Sequence, residues 1–147
     1  MSEKTTNDRK NGSASSTNIY GRGRNIDKLN ERVKELNCLY GLTKIVRNDK
    51  LTSDQVFSQI LNLIPPSWQY PEITCARIIV EGHEVKTENF KETPWMQSKE
   101  IISEGRKIGV LEVYYLQRKP DQDQGPFLTE ERWLIDAIAD LLGKYID

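Results

Sequence analysis

The run Ile73–Val80, ITCARIIV, constrains the fold more than any other stretch of the chain. It is β-rich and almost wholly apolar, broken only by Arg77. A strand with one wet face alternates apolar and polar residues, whereas a run that is apolar on both sides belongs inside a sheet. A central strand with a single polar outlet at Arg77 is therefore expected, and the rest of the chain must supply its neighbours and its cover. Just ahead lies IPPSWQYP. Pro65 and Pro66 cannot donate to a helical ladder and disfavour helix in the residue before them, so they predict a helix ending near Leu63. The spacing of Pro65, Pro66 and Pro71 is not PxxP, which argues against a polyproline docking helix. Trp68 and Tyr70 read first as corner packing between helix and strand.

Upstream, residues 1–25 are rich in Ser, Thr, Asn, Lys, Arg and Gly and offer almost nothing to bury, so a disordered tail is expected there. From Ile26 the pattern changes. Ile26, Leu29, Val33, Leu36, Tyr40 and Thr43 follow a 3-4-3-4-3 spacing, the seam of one amphipathic helix. A second stripe begins midway with Leu39, Leu42, Ile45 and Val46. One face needs a core and the other needs a different cover. Gly41 costs about 1 kcal/mol of helix propensity against alanine and suggests a close crossing. LTSDQ then restarts a helix, with Thr52 and Gln55 as a capping box and Leu51 with Val56 as a hydrophobic staple. Val56, Phe57, Ile60, Leu63 and Ile64 form its buried side.

After the central strand, EGHE (81–84) predicts a turn into a weaker strand around Val85–Phe90, and Pro94, Trp95 and Met96 a short connection. SKEIISEGRKIGVLEVYYL reads as two strands around Gly105. Beyond an exposed charged connection, Thr129 is expected to cap a final helix carrying Glu130 and Glu131 in its first turn. Leu134, Ile138, Leu141 and Tyr145 again lie at coiled-coil spacing. The expected fold is α+β: an antiparallel sheet with terminal helices packed on one face, spanning residues 26–147. Both terminal helices have surplus apolar surface, and each large side chain is worth about 1.5–3 kcal/mol when buried. A homodimer is expected, with Ile26, Leu29, Val33, Leu36, Tyr40, Leu134, Ile138, Leu141 and Tyr145 at its interface.

GRKIGVLEVYYL (105–116) followed by GPFLTEERWLIDAIADLLGKYI (125–146) resembles the closing strand and last helix of GAF domains. ERVKELNCLYGLTKIV (31–46) with LIPPSWQYPEITCARI (63–78) resembles a narrower GAF-like group. Such segments accompany histidine kinases, PAS domains and phosphoenolpyruvate synthase-like proteins. The resemblance implies an antiparallel sheet, parallel dimerisation through the terminal helices, and a sensory or regulatory role, with a histidine kinase as an expected partner. In ligand-binding members, extra elements roof a pocket. Here only about ten residues, Phe90 to Lys99, are available for that roof, and neither the NKFDE-type signature of cyclic-nucleotide binders nor a Cys–His pair for bilin attachment is present.

Chemistry is sparse. His83 is the single histidine, set among Gly and Glu, and reads as a solvated turn residue rather than a metal ligand. No GxSxG, Walker or HExxH pattern occurs. Glu88, Glu92, Glu100 and Glu104 read as a charged face. Cys38 and Cys75 have no CxxC spacing and read as free thiols of a reducing, cytoplasmic protein. A net charge of −1 gives no field toward nucleic acid, GRGR (21–24) is too short to change that, and no apolar run approaches a bilayer span. No catalysis, cofactor or metal is expected. Trp68, Tyr70, Phe90, Trp95 and Met96 are the candidate lining of a small-molecule pocket, with core filling as the competing reading.

Overall fold

The computed structural model describes residues 16–146, with side chains from Lys28 onward, and the chain divides into two units between Val33 and Lys34. The first helix, α1, spans Ser16–Arg47 across that division. The tail expected over residues 1–25 lies outside the described residues as far as residue 15. The described part of the helix is already present at Ser16, ahead of Ile26 where the apolar repeat starts.

Within the unit from Lys34, α2 (Ser53–Ser67) opens on the expected capping box. Gln55 N–H donates to Thr52 Oγ1 at 3.2 Å, and Thr52 N–H donates to Gln55 Oε1 at 2.8 Å. The helix does not stop near Leu63: Pro65 and Pro66 lie inside its last turn. Proline's fixed φ near −65° is itself helical, so the cost is two missing donors, and the terminal turn has few intrahelical bonds to lose. Burial of Ile64, Ser67 and Trp68 holds that turn in place, and Trp68 N–H closes on Pro65 O at 3.3 Å.

A short 3-10 turn, Pro71–Ile73, leads into β1 (Thr74–Val80). Glu81 and Gly82 both have positive φ, 49° and 83°, the signature of a tight two-residue hairpin turn. The next strand, β2, therefore starts immediately, at His83–Lys86, and not around Val85–Phe90. The EG pair recurs at Glu104–Gly105, φ 51° and 76°, joining β3 (Met96–Ser103) to β4 (Arg106–Tyr115). Met96 thus belongs to a strand, one residue earlier than a Pro94–Met96 connection predicts. The sheet is antiparallel in the order β2-β1-β4-β3, which makes ITCARIIV central as its composition requires.

Register assigns the faces. Ala76, Ile78 and Val80 of β1 pair with Val113, Leu111 and Gly109 of β4, and these point to the helices. Cys75, Arg77 and Ile79 pair with Tyr114, Glu112 and Val110 and point the other way. The helix α3 (Thr129–Ile146) packs along β3, and α2 packs on β1. Their apolar sides and Cys38, Leu42 and Ile45 of α1 share one core. The Lys34–Arg47 stretch of α1 runs antiparallel to α2: Lys34 Nζ donates to Trp68 O at 3.4 Å, while Gly41 meets Leu63. Gly41 marks the close crossing that its helix cost suggests, since a Cβ there would stand 3.1 Å from Leu63 Cδ1. Gly143 is tighter still, for a Cβ would run into the Ile102 carbonyl of β3. Among the described residues the arrangement is α+β, three α-helices and a four-stranded open antiparallel sheet.

The start of α3 differs from expectation. Arg132 N–H donates to Leu128 O, which makes Leu128 the capping position, with Thr129 first inside the helix. Leucine has no acceptor to offer, so others serve: Asp123 Oδ2 takes the Thr129 N–H at 2.9 Å, and Glu131 Oε1 takes the Leu128 N–H at 2.9 Å.

Candidate functional site

The five residues expected to line a pocket do not converge. Trp68 is fully buried on the helix side, where its indole Nε1–H donates to Gln97 Oε1 at 2.8 Å. Tyr70 meets the Tyr115 ring edge-on at 5.4 Å, and Tyr115 stacks on Phe127 at 4.5 Å, also on that side. Phe90 lies across the opposite face, edge-on to Tyr114 at 5.4 Å and 4.9 Å from the Arg77 guanidinium. Met96 pairs with Tyr114 on the same open face and is partly exposed. Trp95 is half-buried at the junction, its carbonyl accepting from Tyr115 N–H at 2.9 Å. The sheet itself separates the set, because Trp68 precedes β1 on its helix side while Phe90 and Met96 sit over or on the other side. The corner reading of Trp68 and Tyr70 holds; one shared aromatic pocket does not form.

The open face is organised by Arg77, the polar outlet of the central strand. Its Nε lies 2.5 Å from Glu112, its Nη1 2.9 Å from Glu84 and its Nη2 3.4 Å from Glu92. Burial works against the guanidinium charge, but the hydrogen bonds to Glu112 and Glu84 outweigh it and hold Arg77 more firmly protonated than usual. Tyr114 donates its hydroxyl to Glu112 at 3.0 Å; burial first, and that bond second, push its phenol up to about 12. Cys75 lies beneath, donating to Lys91 O at 3.6 Å, its thiol raised by burial and so a poor nucleophile. With all three guanidinium nitrogens on carboxylates, this cluster straps the 87–95 connection to the sheet and leaves no free fork for an anion.

The other candidate surface is the helix seam. In the unit ending at Val33, Leu29 is 62% and Val33 47% exposed; in the unit from Lys34, Leu36 is 64% and Tyr40 68% exposed. The side chain of Ile26 lies outside the described residues. The α3 half of the expected seam is corrected by the structure. Leu134 and Ile138 are buried in the core with Ile135 and Leu142, and Leu141 and Tyr145 pack partly against it, Tyr145 meeting Phe57 edge-on at 6.3 Å. A 3-4 repeat describes a core-facing stripe as well as a coiled-coil seam, and on α3 the sheet takes it.

Two buried polar residues escaped sequence reasoning. Glu131 reads as an ordinary first-turn acid, yet it is 1% exposed. It receives Gln69 N–H at 2.6 Å, Leu128 N–H at 2.9 Å and the Tyr115 hydroxyl at 3.3 Å, joining the Trp68 corner, α3 and β4. Burial, with the Glu131 charge, raises the Tyr115 phenol well above its usual value. Gln97, in a strand of mixed composition, carries no sequence signal for its role as the acceptor of the Trp68 indole. His83 is exposed and pairs with Asp54 Oδ1 at 2.8 Å. Among the described residues, no group of three or more His, Cys, Asp or Glu side chains could hold a metal, and no helix is long and apolar enough to cross a membrane. In comparisons with known proteins, no family model, no curated protein and no solved structure matches the chain.

Proposed function

We propose that the protein is a non-catalytic, GAF-like regulatory module of the cytoplasm that works as a homodimer through α1. The observation that carries this reading is the exposed apolar series Leu29, Val33, Leu36 and Tyr40. Placed in heptads, Ile26, Val33 and Tyr40 occupy a positions and Leu29 and Leu36 occupy d. A β-branched residue at a with leucine at d favours two parallel strands, so a second copy of the same helix is the fitting cover. Leaving such a series in water would be an aggregation hazard. The signal would travel as a change in helix packing between the protomers, biased by a small ligand or a partner such as a histidine kinase.

Light scattering after gel filtration tests this. The expected mass is about twice 17.0 kDa, falling to the monomer in Leu36→Glu and unchanged in Glu35→Lys; a monomeric parent at micromolar concentration sinks the reading. A second reading, an assembly adaptor that takes no ligand, draws support from the split aromatic set. The Phe90–Arg77 contact already covers part of the open face of the sheet.

A further inference from the structure

We propose that the groove between α1 and α2 binds a small carboxylate that also carries an amide and a short apolar body, an N-acyl amino acid in type; this deepens the regulatory reading above. The groove is an open depression of about 450 Å³, a volume within the range of small-molecule sites, and is lined by Gly41, Lys44, Ile45, Asn48, Gln59, Asn62 and Leu63. It lies wholly in the unit from Lys34 and on the outer side of the helix layer, remote from the sheet face that Phe90 straps.

Its shape follows from Gly41. The missing side chain lets α1 and α2 approach at Leu63, and a Cβ at that point would already crowd Leu63 Cδ1 and Cδ2 at 3.1 Å. The floor is apolar, from Ile45 and Leu63. The walls are carboxamides, and each carboxamide presents one donor end and one acceptor end, the complement of an amide in the ligand. Asn48 uses its carbonyl oxygen on Lys50 N–H at 3.1 Å, so its amide hydrogens are what it offers a ligand. Lys44 is the one charged residue among those that line the groove. Its ammonium stands over the Tyr40 ring at 5.4 Å, a contact that leaves its charge in place. An anionic group with an amide and a compact apolar side chain satisfies cation, walls and floor together. One wall of the groove and the exposed Leu36 and Tyr40 belong to the same helix, so occupancy acts on the element that carries the proposed dimer contact.

The test is a ¹⁵N NMR titration of the full chain with N-acetyl-leucine, run beside its neutral analogue N-acetyl-leucinamide and repeated in Lys44→Gln. Lys44 is exposed, so that variant keeps its fold. The expected result is saturable shifts of the Gly41 amide and the Asn62 side-chain amide with the acid. Loss of the charge from either ligand or protein should weaken binding by about 10-fold, the scale of one charge-assisted hydrogen bond. Absence of saturable shifts at Gly41 overturns the site, and equal titration by acid and amide overturns the carboxylate. The dimer reading is judged separately by mass: a dimer that ignores the probe refutes only the groove, whereas a monomer that binds it refutes only the dimer.

Discussion

Leu42 and Leu36 are the same residue on the same helix, 1% and 64% exposed. The first lies with Cys38 and Ile45 in the core; the second faces water. Burial of a leucine is worth about 1.5–3 kcal/mol, so the two sides of α1 stand in different relations to the fold. One side is justified by the domain itself. The other, with Leu36 and Tyr40, is left exposed in the unit from Lys34. Amphipathic helices normally turn a polar face to water, and the departure from that pattern is what separates this helix from α2 and α3.

Substitutions can break or sharpen this contrast. The largest loss should come from the corner beneath α1: Trp68→Ala removes a fully buried indole and is expected to cost about 3–5 kcal/mol in chemical denaturation. A cost below about 1 kcal/mol would place Trp68 among exposed sites and return it to the docking role. Glu131→Ala strands the Gln69 and Leu128 N–H groups and should cost about 2–4 kcal/mol by the same measurement. Leu42→Ala should cost about 2–4 kcal/mol whatever the protein concentration. Leu36→Ala should cost less than about 0.5 kcal/mol in a monomeric sample, and any larger loss should grow with concentration as the parent gains stability by dimerising. If both leucine variants behave alike at every concentration, the two-sided account of α1 fails.

The smallest effect concerns the open face. Tyr114 has its phenol raised to about 12, chiefly by burial. The folded state therefore favours the neutral ring; that contribution is whole below the ordinary tyrosine value near 10 and is lost as pH rises toward 12. Ultraviolet titration of the phenolates should show this late step, and Glu112→Gln should bring it earlier because the carboxylate's hydrogen bond and charge both raise it.

Much of this was written locally in the sequence. The central strand followed from its unbroken apolar run, the start of α2 from its capping box, and the two apolar sides of α1 from two offset repeats. The rest depended on distance in space. A 3-4 repeat on α3 cannot say whether a sheet or another helix will meet it, and the sheet did. Two prolines end most helices, but here packing of Ile64 and Trp68 carried the turn through them. Phe90 and Trp68 read as one aromatic set because they are neighbours in composition; a strand placed between them assigns them to opposite faces. Glu131 gave no sign of its burial, since the Gln69 N–H that it accepts comes from 62 positions away.

Gly143 has a consequence for how this sheet meets other chains. With α3 seated on the Ile102 carbonyl and Arg132 taking the Ser98 carbonyl at 3.0 Å, the β3 border offers little to an incoming strand. The other border, β2, is four residues long and carries Glu84 and Lys86, too short and too charged to template an extended ladder. The molecule has thus blunted both routes to edge-to-edge aggregation, which leaves the exposed apolar side of α1 as the surface on which the proposed association would depend.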